Sequence, residues 1–107
     1  MTSKQRAFLK SLAMTTEPAV RIGKESLTPE VVKSVSEALE ANELVKIAVL
    51  NNCFDDCKEL SLKLAQRTRS SVVQIIGRRI VLYKEAEDPD KRKIDLVRLR
   101  RGKAKEI

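Results

Sequence analysis

Ala19-Val-Arg-Ile-Gly-Lys-Glu-Ser-Leu-Thr28, followed by Pro29 and an amphipathic run, is the stretch on which the reading of this chain turns. A short apolar strand enters a Gly-Lys loop, and Thr28-Pro29 then opens a helix. Thr28 is a good N-cap, and Pro29 suits the first helical position because its missing N–H would be unpaired there anyway. Gly23 lets the backbone approach a partner closely, and amides at a helix N-terminus favour an anion. Lys24 adds a mobile positive charge beside them. The segment therefore reads either as a plain strand-to-helix turn or as a cradle for a phosphate backbone.

Outward from that turn, the apolar periodicity alternates between helix and strand. Ser3 is the expected cap of a helix over 4–13, with Phe8, Leu9, Leu12 and Ala13 as its apolar stripe. Pro18 to Ile22 reads as a strand. Residues 29–41 read as a helix, with Val31, Val32, Val35, Ala38 and Leu39 at helical spacing and Asn42 as its stop. Leu44 to Leu50 is β-branched and aliphatic, a buried strand interrupted by Lys46. Asp55 or Asp56 caps a third helix to about Thr68, burying Cys57, Leu60 and Leu64. Val72–Ile76 and Ile80–Lys84 form a hairpin around Gly77-Arg78-Arg79. The fold class is α/β in the order α-β-α-β-α-β-β: a four-stranded mixed sheet with three helices, parallel where helices connect strands and antiparallel at the hairpin.

Charge narrows the partners. The 107-residue chain is one domain with net charge +7 and no histidine. Residues 1–88 hold 14 Lys/Arg against 12 Asp/Glu, whereas 89–107 hold 8 against 3, so most of the excess is a basic C-terminal tail. Such a balance points to a polyanion, most commonly nucleic acid. The tail starts at Asp88-Pro-Asp-Lys-Arg-Lys93; Ile94, Leu96, Val97 and Leu99 are candidates for a further strand or short helix, with disorder expected beyond Arg100.

Other classes find little support. Catalysis is not expected: histidine is absent, Asp55-Asp56 reads better as a helix cap than as a metal pair, and neither a Walker loop nor a Gly-x-Gly-x-x-Gly fingerprint occurs. Cys53 and Cys57 lack the further ligands that a metal site needs, so they read as reduced structural thiols and neither metal nor cofactor is expected. Met1-Thr-Ser-Lys has no signal-peptide apolar region, and the apolar runs are too short to span a bilayer, so a cytoplasmic location without a membrane partner is expected; a monomer is the separate expectation for its assembly.

Several residues together resemble a known family. They are Lys4-Gln5-Arg6…Leu9…Leu12-Ala13, Pro18…Ile22-Gly23-Lys24, Leu27-Thr28, Ala38-Leu39-Glu40…Glu43-Leu44-Val45-Lys46 and Val73-Gln74-Ile75-Ile76-Gly77-Arg78…Leu82-Tyr83. In order and spacing they are similar to the CRM domain, the chloroplast RNA splicing and ribosome maturation module, in its bacterial stand-alone YhbY-type form. The resemblance assigns 1–87 to that domain and 88–107 to the tail. It implies a fold similar to the C-terminal domain of translation initiation factor three. It also implies binding to ribosomal RNA in precursors of the large subunit. A protein-binding adaptor on ribosomal particles and a general basic nucleic-acid-binding domain are the alternatives.

The family loop is usually Gly-x-x-Gly and compares with the phosphate clamp of KH domains. Here it is Gly23-Lys24-Glu25-Ser26. A left-handed conformation at Ser26 would carry strain, and Glu25 adds negative charge, so weaker binding than a Gly-x-x-Gly loop is expected. Lys84 stands where the family commonly has arginine. Expected RNA contacts are Gly23, Lys24, Ser26, Thr28 and Arg21 at the loop, Arg78 and Arg79 at the hairpin tip, and Lys4 and Lys10 on the first helix, with Arg6 beside Lys10. Of the three aromatic residues, Phe8 belongs to an apolar stripe and Tyr83 is expected buried with its hydroxyl outward. Recognition should rest on phosphates and weaken steeply with salt.

Overall fold

The computed structural model describes residues 1–88 together with Asp90, Arg92 and Ile94. Seven elements follow in order: α1 (Ser3–Met14), β1 (Val20–Ile22), α2 (Pro29–Asn42), β2 (Leu44–Val49), α3 (Cys57–Thr68), β3 (Ser71–Ile76) and β4 (Arg79–Tyr83). This is the expected α-β-α-β-α-β-β order.

Side chains at the helix ends explain the boundaries. Thr2, not Ser3, caps α1: its hydroxyl accepts from Gln5 N at 3.1 Å, and Gln5 Oε1 accepts from Thr2 N at 2.9 Å. A capping box needs an acceptor three residues on, which Gln5 supplies for Thr2 and Arg6 cannot supply for Ser3. Thr28 caps α2, with Val31 N donating to its hydroxyl at 3.1 Å, and Pro29 takes the first helical position. Asp56 rather than Asp55 caps α3. Arg69 ends α3 in the left-handed conformation, a site more often held by glycine.

The strand order is β1-β2-β4-β3. Strand β1 runs parallel to β2, while β4 lies antiparallel between β2 and β3. The chain thus places β3 one strand away from β2, and the hairpin return fills the gap. The hairpin turn is tight, with Gly77 at φ +55°. Strand β3 carries a register shift between Val72 and Gln74. Arg6 Nη1 donates to the Val72 and Val73 carbonyls there, at 2.8 Å each, so this arginine binds the bulge and does not extend a basic surface with Lys10.

Alternation along the strands gives the sheet two covered faces. Val45, Ile47, Val49, Ile80, Leu82 and Ile22 pack beneath Val35 and Leu39 of α2 and Leu60 and Leu64 of α3. Leu44, Val73, Val81 and Tyr83 point the other way, against Leu9 and Ala13 of α1. Phe8, expected in that stripe, is 37% exposed, and buried Gln5 lies beside the stripe instead. Lys46 does not break β2: on the α1 face its Nζ donates to Ala13 O at 3.1 Å, a cation on the carbonyl end of the helix. Cys53 is buried and Cys57 half-buried, both as free thiols.

The second core also takes in Ile94, which is 9% exposed and stands in neither strand nor helix. Glu43, 1% exposed and at φ +65°, is its anchor. The Glu43 carboxylate accepts from Ala86 N at 2.7 Å and Ile94 N at 2.9 Å, and its carbonyl accepts from Lys84 N at 2.9 Å. Leu96, Val97, Leu99 and everything past Arg100 lie outside the described residues. Contrary to expectation, the Tyr83 hydroxyl is buried and has no hydrogen-bond partner among the described residues. Burial, then Glu43 and Glu85 with Arg92 opposing, pushes its pKa up to about 12.

Candidate nucleic-acid interface

Three connections meet at one end of the sheet. Strand β1 ends at Ile22, whose carbonyl accepts from Leu50 N at 2.8 Å, so the loops after β1 and β2 leave side by side. The antiparallel pairing of β4 with β2 sets Arg79 opposite Ala48 and brings the Gly77-Arg78 turn to the same end.

The Gly23–Ser26 loop closes as a turn, with Ser26 N donating to Gly23 O at 3.0 Å. The left-handed residue is Ser26, at φ +60°, while Gly23 has no positive φ. An added Cβ at Gly23 would sit 3.4 Å from Asn52 Oδ1, an ordinary separation, so glycine here is not demanded by backbone conformation. Ser26 holds its conformation with help: its hydroxyl donates to the Asp55 carboxylate across the two loops. That donor is therefore engaged with Asp55, and the capping role belongs to Thr28 alone. Lys24 and Glu25 are exposed on the turn.

Arg78 fixes the neighbouring loop. Its Nε donates to Val49 O at 3.1 Å, and its Nη2 donates to Leu50 O at 2.8 Å and Cys53 O at 2.6 Å. In return the Arg78 carbonyl accepts from Val49 N at 2.8 Å. The planar fork suits this task, since several donors in fixed directions can gather diverging carbonyls. The expected pair of guanidinium groups at the hairpin tip is thus divided. Arg78 is half-buried against the loop with only Nη1 lacking a partner among the described residues, and Arg79 is exposed.

Arg21 and Arg79 are related across the sheet. Both pair with Ala48, from opposite sides, so all three lie in one row on the face that carries α1. At the usual strand spacing their Cα atoms are about 10 Å apart. Arg21 therefore belongs with Arg79 rather than with the Gly23 turn. Lys4 is exposed and Lys10 half-exposed on α1, and neither bonds to the loops among the described residues.

Two residues at this end, Asn52 and Phe54, carry almost no mark in the sequence, and Asp55 is marked there only as a candidate cap or metal ligand. Asn52 lies under Gly23, Asp55 binds Ser26, and Phe54 between them is 93% exposed. The one local signal is a phenylalanine set among Asn, Cys and Asp with no apolar partner at helical or strand spacing. Among the described residues no group of three or more His, Cys, Asp or Glu is placed to hold a metal. No described helix is long and apolar enough to cross a membrane.

The family model of the CRS1 / YhbY (CRM) domain matches residues 1–84. The probable RNA-binding protein YqeI of Bacillus subtilis (strain 168) is 42% identical over 88 residues, covering 82% of this chain and 92% of its own. An RNA-binding protein of Haemophilus influenzae is 33% identical over 88 residues, covering 82% and 89%. The solution structure of the hypothetical protein SAV1595 from Staphylococcus aureus superposes with a TM-score of 0.73 at 40% identity, covering 89% of this chain and 99% of that one.

Proposed function

Because this chain belongs to the CRS1 / YhbY (CRM) domain family, we propose that it binds RNA, and specifically ribosomal RNA in precursors of the large subunit, assisting maturation without catalysing a reaction. The observation that carries the reading is the convergence of the Gly23–Ser26 turn, the loop from Leu50 to Asp56 and the Gly77-Arg78 turn at one end of the sheet, with Lys24 and Arg79 exposed there. RNA-binding relatives support the partner class. Phosphates meet Lys24, Arg79 and Arg21, while Arg78 holds the loop in place with Nη1 left for an anion. The tail beyond residue 88 adds charge without sequence preference. The protein acts as a cytoplasmic monomer, with residues 1–87 as the RNA-binding domain.

The test is sedimentation of a lysate at low salt, with and without RNase. Comigration with large-subunit precursors that RNase abolishes is the expected result. A protein that stays at the top of the gradient refutes the ribosomal assignment. Charge reversal at Arg21, Lys24 and Arg79 together should weaken RNA binding at least tenfold. The plot of log affinity against log salt should also become shallower by about 2, at about 0.7 for each of three phosphates that no longer meet a cation. Unchanged affinity would move the site to the tail.

A further inference from the structure

Phe54 is the most exposed large apolar side chain among the described residues, at 93%. A single exposed apolar residue is ordinary on a protein surface. This one differs in how its backbone is held. Cys53 before it is buried, and the Cys53 carbonyl accepts from Arg78 at 2.6 Å. Asp55 after it accepts from Ser26, and Asp56 caps α3. The ring therefore projects into water from a segment tied down on both sides, one residue from the side chain that holds the Ser26 turn. These tethers fix the backbone from which the ring springs, while the ring itself is unpacked.

Charge around the ring favours one occupant. Asp55 and Asp56 follow it in sequence, so a phosphate placed directly on Phe54 would be repelled. A nucleobase is neutral and planar, and it can lie on the ring while its own phosphate reaches towards Lys24 or Nη1 of Arg78, which has no partner among the described residues. The other two aromatic residues are unsuited: Phe8 is more than half covered and Tyr83 is buried. We infer that Phe54 is a base-stacking residue that holds one unpaired nucleobase of the RNA beside the Ser26 turn. The inference rests on the RNA-binding reading and adds a requirement to it: an unpaired base, one and not a run, must lie next to the bound phosphates.

The absence of tryptophan from the chain makes the test direct, because Phe54→Trp supplies a single reporter. The probes are two fluorescein-labelled RNA hairpins of one sequence, with and without a one-purine bulge. Far-UV circular dichroism checks that each variant is folded. Phe54→Ala should weaken binding of the bulged hairpin about 5- to 150-fold, as loss of one stacked base implies, with the salt slope unchanged because no counterion release is lost. Phe54→Leu should resemble the alanine variant, and Phe54→Trp should bind as tightly as the parent with its emission quenched by the bulged hairpin. Equal affinity of the parent, alanine and leucine variants for the bulged hairpin overturns the stacking role and leaves RNA binding intact. A leucine variant that matches the parent while alanine does not also overturns stacking, because apolar contact of any shape then suffices. Failure of the parent to bind either hairpin at low salt removes the RNA reading itself, and the stacking role with it.

Discussion

Replacing Arg78 by lysine keeps the charge and removes the fork, which separates holding a loop from attracting a phosphate. The parent side chain makes three bonds to carbonyls of Val49, Leu50 and Cys53, at 3.1, 2.8 and 2.6 Å. A charged donor would add more than a neutral one, but these bonds are part-buried or exposed, so each contributes about 1 kcal/mol net. Lysine has no donor partway along its stem and presents a point charge, so it recovers about one of the three. The expected loss is about 2 kcal/mol. In a domain of this size that is a fall in Tm of about 8–16 °C. Urea unfolding followed by far-UV circular dichroism should show the midpoint falling by about 1 M with the slope unchanged. Amide exchange should accelerate at Asn52, Cys53 and Phe54, and less in β4. RNA affinity should retain its salt slope, since the cation count is the same. A lysine variant within about 0.5 kcal/mol of the parent, with unaltered exchange in the loop, would refute the assignment of Arg78 as the clamp.

Three further perturbations probe other strained or buried groups. Ser26→Ala keeps the φ of +60° and loses the bond to Asp55, whereas Ser26→Gly loses the bond and the strain; the glycine variant should be the more stable by about 1 kcal/mol in urea unfolding, the reverse of the usual loop order. Tyr83 ionises near 10 when unfolded and near 12 when folded, so above pH 10 the native state retains a proton that the unfolded chain has released, and stability falls as pH rises from 10 to 12. Tyr83→Phe should flatten that alkaline fall in a series of urea midpoints, and an unchanged slope would exclude Tyr83 as its source. Glu43→Gln halves the acceptor capacity facing Ala86 N and Ile94 N, so hydrogen exchange at those two amides should quicken and stability should drop by about 2 kcal/mol.

The element order is legible from the chain because its signals are local. Apolar spacing at 3.6 and 2 residues, Thr28-Pro29, Asp56 and Gly77 each act within one helical turn or one hairpin, and the observed order and sheet composition follow them. The departures at this level are of the same short range. Thr2 displaces Ser3 because the reciprocal box with Gln5 satisfies two end groups, and β1 begins at Val20 rather than Pro18 because only three residues pair with β2. The loop departure at Ser26 is also readable, since a left-handed position between a strand and a capped helix depends on the few residues that form the turn.

What each charged side chain does is decided by tertiary structure. Arg6 and Arg78 look alike in sequence to Lys24 and Arg79, as cations near helix faces and turn tips. Yet Arg6 binds carbonyls 66 and 67 residues away, and Arg78 binds one 25 residues away, while Lys24 and Arg79 remain exposed. Glu43 carries an amide 51 residues distant, which draws Ile94 into the α1-side core. A lone arginine or glutamate carries no local mark of whether an unpaired carbonyl or amide will arrive beside it. That depends on strand register and on the bulge between Val72 and Gln74, and these are fixed only when the separate elements pack. Periodicity and caps therefore set the elements, and the pairing of distant backbone groups decides which charges the fold engages and which it leaves exposed.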